Sequence, residues 1–196
     1  MLVRLILALI FFILSVTINA QDNLMNYEVS AALPYGRLNP KAPEQTGDYQ
    51  QLIGECDCKS ESRNPDNTWA KPVDMIWRWK YIMNGMAVQD ETIKSDGKHS
   101  GSIRQYSKDS LRWYVHYYSS AAIASKLSAW EGNKNKDGNI VLYKEQKAPN
   151  GTEGFSRLTF YDIDKKGYKW IGEWVDKTET VVFPFWKITC TKSEEN

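Results

Sequence analysis

The chain has 196 residues with eight Trp and eleven Tyr, aromatic-rich enough to exclude a disordered chain and short enough for one domain. Arg4 is the only charge in residues 1–20; without it the 25 Lys and Arg become 24, matching the 24 Asp and Glu. That balance leaves no basic stripe for nucleic acid, and the rest of the chain holds no run of the roughly 18–20 apolar residues that a membrane span needs.

Met1 to Ala20 reads as a secretory signal. Arg4 gives the positive start, Leu5 to Leu14 is apolar throughout, and Asn19-Ala20 places a small residue at the cut, although Ile18 is bulky for its position. Export predicts a secreted or periplasmic protein in an oxidising compartment, where cysteines can pair. Residues 21–49 are polar and interrupted by Pro34, Pro40 and Pro43, and read as an extended arm with at most a short helical turn.

From residue 50 the pattern changes to short alternating runs between turn signals: 50–60, 74–83, 86–94, 100–107, 111–119, 126–132, 139–146, 155–162, 168–175 and 180–191. With no helix-period segment between them, apart from a weak candidate at 119–126, the runs predict an all-β domain over 50–191 with a polar tail at 192–196. The fold class is a closed antiparallel up-and-down barrel of about 8–10 strands. Asn84-Gly85 marks a hairpin, because both residues tolerate positive φ. Asn133 to Gly138 matches the start of a calcium loop, but position twelve is Lys144 and only one carboxylate is present, so it reads as a hairpin loop.

Alternation assigns an interior. Trp77, Trp79, Tyr81 and Met83 share one face of the second run, against Arg78 and Lys80. A turn at Asn84-Gly85 places Tyr81 opposite Val88 and Trp79 opposite Asp90. Asp90 is then an inward carboxylate, which is costly unless paired, and Arg104 and Tyr106 share a face from which to meet it. Trp113, Val115 and Tyr117 point inward with His116 outward. Leu158 and Phe160 do the same, as do Trp170 with Trp174, and Val182, Trp186, Ile188 with Cys190. In the first run Leu52, Gly54, Cys56 and Cys58 share the inner face. A bridge from Cys56 or Cys58 to Cys190 would then join the first and last strands and leave one thiol over; three unbonded buried thiols are the other reading. The spacing matches no metal site.

Leu52-Ile-Gly54, Trp77 through Asp90, Ile103-Arg104-Gln-Tyr106, Leu111-Arg-Trp113, Phe160-Tyr-Asp162-Ile and Tyr168-Lys-Trp170 together resemble a mostly bacterial, often secreted domain family of unknown function among the lipocalin-like calycin barrels. The resemblance spans about residues 50–191 and implies a closed barrel with a ligand cavity and no assigned reaction. Calycins commonly open on Gly-x-Trp, whose Trp plugs one end. Here the match is Gly54-Glu55-Cys56, so that plug is missing and Trp186 is the candidate replacement. Haem carriage is not expected, since no His follows His116, and no cofactor is expected.

No Gly-x-Ser-x-Gly, His-Glu-x-x-His or phosphate-binding glycine loop is present. The leading expectation is a binding module for a small, largely apolar ligand. It would be lined by Trp77, Trp79, Tyr81, Trp113, Tyr117, Phe160, Trp170 and Trp174, with Asp90, Arg104 and Tyr106 setting its orientation. The alternative is a small barrel enzyme, an isomerase or hydrolase, using Asp90 as general acid or base. A ligand-free interaction barrel, with aromatics that simply fill a core, is the third reading.

Overall fold

The computed structural model describes residues 25–192, so the signal reading of residues 1–20 and the tail beyond Lys192 lie outside the described residues. Ten strands follow one 3-10 segment, Glu44–Leu52: β1 Gly54–Ser62, β2 Val73–Ile82, β3 Ala87–Lys94, β4 Ser100–Ser107, β5 Arg112–Ser119, β6 Ser128–Lys134, β7 Ile140–Glu145, β8 Gly154–Tyr161, β9 Gly167–Asp176 and β10 Val182–Lys192. Each strand bonds to its neighbours in sequence and β10 returns to β1, which makes a closed antiparallel up-and-down barrel in keeping with a lipocalin-like fold. Closure leaves no unpaired sheet edge.

Every predicted run coincides with a strand, with ends displaced by a few residues. The hairpin register is as read: Trp79 lies opposite Asp90 and Tyr81 opposite Val88. Its turn is longer than two residues, however, because Ile82 and Ala87 form the last pair. Met83 therefore leaves the inner face and is exposed, not interior as the alternation suggested. Gly85 at φ +77° has a separate reason to be glycine: a Cβ there would sit 2.3 Å from the Arg37 carbonyl of the arm. Ser119 ends β5, and residues 120–126 form bends and irregular chain with no helix. Val182 is exposed, because a bulge between Pro184 and Trp186 shifts the phase of β10.

The arm is tied down. Tyr27 donates its backbone N–H to Asn84 Oδ1 at 2.9 Å, and the Asn39 side chain donates to the Asn84 carbonyl at 3.0 Å. The arm ends in the 3-10 segment, which replaces the start of the first predicted strand and drops Tyr49 and Leu52, both fully buried, into one end of the barrel. Tyr49 stacks on Trp79 at 5.6 Å and meets Trp113 edge-on at 4.8 Å; Trp113 Nε1 donates to Asp48 Oδ2 at 3.1 Å. Tyr49 is thus the plug. Trp186 is not, because it lies toward the other end and donates from Nε1 to Ser60 Oγ at 2.8 Å. Truncating Tyr49 to Ala is expected to cost about 3–5 kcal/mol, the range for deleting a buried aromatic ring, with urea unfolding as the measurement. Tyr49→Phe should cost about 1 kcal/mol, since it loses only the hydroxyl contact with Arg104.

Cys58 faces Cys190 directly across the β1–β10 ladder and is bonded to it, closing the ring of strands with a covalent tie. Cys56 stays free and buried. Burial pushes its thiol above the usual range, with Lys192 partly opposing, so it remains protonated and a poor partner for disulfide exchange.

Candidate functional site

The lumen has two halves of different character. Toward the 3-10 segment the inward side chains form a dry core of Trp77, Trp79, Tyr81, Val88, Trp113, Ile140, Phe160 and Tyr168. Trp79 Nε1 donates to the Tyr168 hydroxyl at 2.8 Å, so the indole is satisfied inside the core. Burial holds the Tyr168 phenol well above its ordinary value and raises that of Tyr81 to about 12. Both stay neutral.

Asp90 sits at the upper edge of this core, 3% exposed. Its position between Trp79 on β2 and Ser102 on β4 follows from the ladders. Oδ1 accepts bonds from Ser102 Oγ at 2.8 Å, Arg104 Nε at 3.0 Å and Arg104 Nη2 at 2.7 Å, and Oδ2 accepts from Trp77 Nε1 at 3.0 Å. Arg104 is enclosed in turn: its guanidinium carbon lies 4.7 Å from the Trp79 ring centroid, 5.0 Å from Tyr49 and 5.3 Å from Phe160. Burial is the largest influence and opposes the guanidinium charge, but Asp90 and Tyr49 together outweigh it and hold Arg104 above its usual value. Carboxylate and guanidinium neutralise each other, and both carboxylate oxygens are committed to donors within the protein. The arrangement orders the core, with three of the four bonds on Oδ1 and one on Oδ2.

Toward the other end the inward side chains change. Tyr117, Trp130, Lys144, Leu158, Trp174 and Trp186 are only half-buried, although their strands turn them into the barrel. Their faces are fixed by pairing: Leu158 lies opposite the buried Leu142 and opposite Gly172, and Lys144 opposite the buried Ser156. Tyr117 meets Trp130 edge-on at 6.3 Å, and Trp186 meets Trp170 at 5.2 Å. Trp130 Nε1 donates to Ser156 Oγ at 3.2 Å, and Trp174 donates to the Gln146 carbonyl at the rim. Two cations lie on rings: Lys144 Nζ is 4.2 Å from the Trp130 centroid and Lys94 Nζ is 5.1 Å from that of Trp186. The surface is apolar and aromatic, with serine hydroxyls and ammonium groups at fixed points, and solvent reaches it.

The predicted site residues therefore divide. Trp77, Trp79, Tyr81, Asp90, Arg104, Trp113 and Phe160 belong to the packed half. Tyr106, half-buried, packs on Trp113 at 5.7 Å near the plugged end and does not reach Asp90. Tyr117 and Trp174 belong to the open half, and Trp170, buried, lies between the two, meeting Trp77 at 6.3 Å and Trp186 at 5.2 Å. Sequence reasoning missed Trp130, Lys144, Ser60 and Ser156 as lining residues. For Lys144 a signal existed: it continues the inward alternation of Ile140 and Leu142. Among the described residues no cluster of metal-ligating side chains occurs, and no helix is long and apolar enough to cross a membrane.

No family model matches the chain and no curated protein matches it. Among solved structures the barrel is similar to the S-type phycobiliprotein lyase CPES from Guillardia theta, with 9% sequence identity and a TM-score of 0.49 over 76% of this chain and 92% of that one.

Proposed function

We propose that this chain is an exported lipocalin-like barrel that binds a small, largely apolar molecule in the open half of its lumen, above the Asp90–Arg104 pair. The observation that carries this reading is the half-exposure of inward-facing Leu158, Trp130 and Trp186, while Trp79, Trp113, Ile140 and Phe160 nearer the 3-10 segment are buried. Inward apolar side chains that remain partly exposed gain from a ligand that displaces the water on them. The packed lower half supplies rigidity, and its ion pair fixes the floor. A filled-core barrel would have buried these side chains as well. An enzyme based on Asp90 finds less support, because four hydrogen bonds from three donor side chains occupy both its oxygens.

N-phenyl-1-naphthylamine, a neutral dye that brightens in apolar sites, should bind and be displaced by apolar competitors. Leu158→Trp, which fills the wet layer, should lose most of that brightening while keeping the wild-type thermal midpoint. Undiminished dye binding in the Leu158→Trp variant would place the site elsewhere. Native mass spectrometry of protein from its own source should reveal a retained small molecule.

A further inference from the structure

We propose that Lys144 anchors an anionic group of the ligand, so that the open half of the lumen selects an apolar body bearing one carboxylate, sulfonate or comparable acid. The inference rests on the lumen reading above and deepens it.

Lys144 faces inward from β7, on the same side as the fully buried Ile140 and Leu142. Eight of the 18 lysines meet carboxylates, as Lys59 does with Asp74 and Lys187 with Glu61. Lys144 does not: its ammonium lies on the Trp130 ring, and among the described residues no carboxylate forms an ion pair with it. A ring face offsets part of the desolvation of an ammonium, but it supplies no counter-charge and accepts no strong hydrogen bond. The other inward charges do not serve either. Asp90 and Arg104 cancel each other at 2.7 Å in the floor. Lys94, across the mouth, adds a second positive charge, and the nearby Asp96 feels its field from the exposed β3–β4 turn. The open half thus carries the ammonium groups of Lys144 and Lys94, neither of them ion-paired among the described residues, while Asp176 at the rim is held by Thr178, Thr180 and the Val181 N–H.

Two further features complete the anchor. Ser156, buried and directly opposite Lys144, accepts the Trp130 N–H and keeps its hydroxyl proton to donate. An anion placed between them would take one charge-assisted bond and one neutral bond, a pairing shaped for an acid group. Burial also depresses the Lys144 titration, the mark of an ammonium held in a poorly hydrated place without compensation. The apolar body of the ligand would lie toward Leu158 and Trp186.

The test compares two dyes that share an aromatic body and differ in charge: 1-anilinonaphthalene-8-sulfonate and neutral N-phenyl-1-naphthylamine. Each is titrated against the wild type, Lys144→Met and Lys144→Arg, with circular dichroism confirming that the variants fold. Lys144→Met should weaken the sulfonate about ten-fold, the effect of one charge-assisted hydrogen bond, and leave the neutral dye within about two-fold. Lys144→Arg should retain the sulfonate. Equal losses for both dyes, or no loss for either, would overturn the anchor while the lumen site stands. Binding of the neutral dye alone to the wild type would do the same. If neither dye binds the wild type, the lumen site itself is refuted and the anchor with it.

Discussion

Asp90→Ala is expected to destabilise the protein by about 3–5 kcal/mol, because it strands the Arg104 guanidinium in a core that water cannot reach. The three rings around Arg104 soften this cost but cannot replace two charged hydrogen bonds, and the Trp77 indole and the Ser102 hydroxyl lose their acceptor as well. The double variant Asp90→Ala with Arg104→Met should recover much of the loss, since removing both charges removes the stranded one. Urea unfolding of the four species in the cycle gives the coupling directly. A loss below about 1 kcal/mol for Asp90→Ala would mean that the pair does not organise the core. Asp90→Asn should still bind the neutral dye, because its side chain lies below the wet layer; a barrel enzyme dependent on this acid would instead lose its turnover.

The second large effect concerns the tie between the chain ends of the barrel. Cys58 and Cys190 are 132 residues apart in sequence, so their bond restricts almost the whole domain in the unfolded state. In the chain-entropy view a loop of that length is worth about 4–5 kcal/mol, and native bridges commonly measure about 2–5. Cys58→Ala should lower the urea midpoint by a corresponding amount and make stability insensitive to reductant. Cys56→Ala should leave both the bridge and its reductant sensitivity in place. The opposite pattern would show that Cys190 pairs with Cys56. Mass mapping of peptides under non-reducing conditions identifies the bonded pair independently.

Much of this architecture was legible in the residues. Each strand announces itself by alternation, as in Trp77-Arg-Trp79-Lys-Tyr81, because a strand that closes a core on one side must place its apolar side chains two apart. The pairing of Trp79 with Asp90 followed from a single turn signal, since a hairpin transmits its register along both strands. Even an extra pair of loop residues at 83–86 left that register unchanged, though it sent Met83 outward. An inward Asp90 implied a nearby partner, and Arg104 was visible as a candidate on the next strand.

What stayed hidden has a common cause. Tyr49 lies in a polar, proline-flanked stretch with no period, and its role as plug depends on Trp79, Trp113 and Phe160, contributed by strands far along the chain. Alternation was enough for ten strands, for most of their inner faces, Met83 and Val182 excepted, and for the inward turn of Cys56, Cys58 and Cys190. Alternation cannot say which end of a barrel is sealed, how deep a given layer is packed, or which of two cysteines on one face meets a third. Those were decided only when β10 closed on β1, because ring closure sets one stagger for all the strands at once. That stagger put Cys58 across from Cys190, stacked Arg104 beneath the plug, and left Lys144 and Trp130 at the wet end of the lumen.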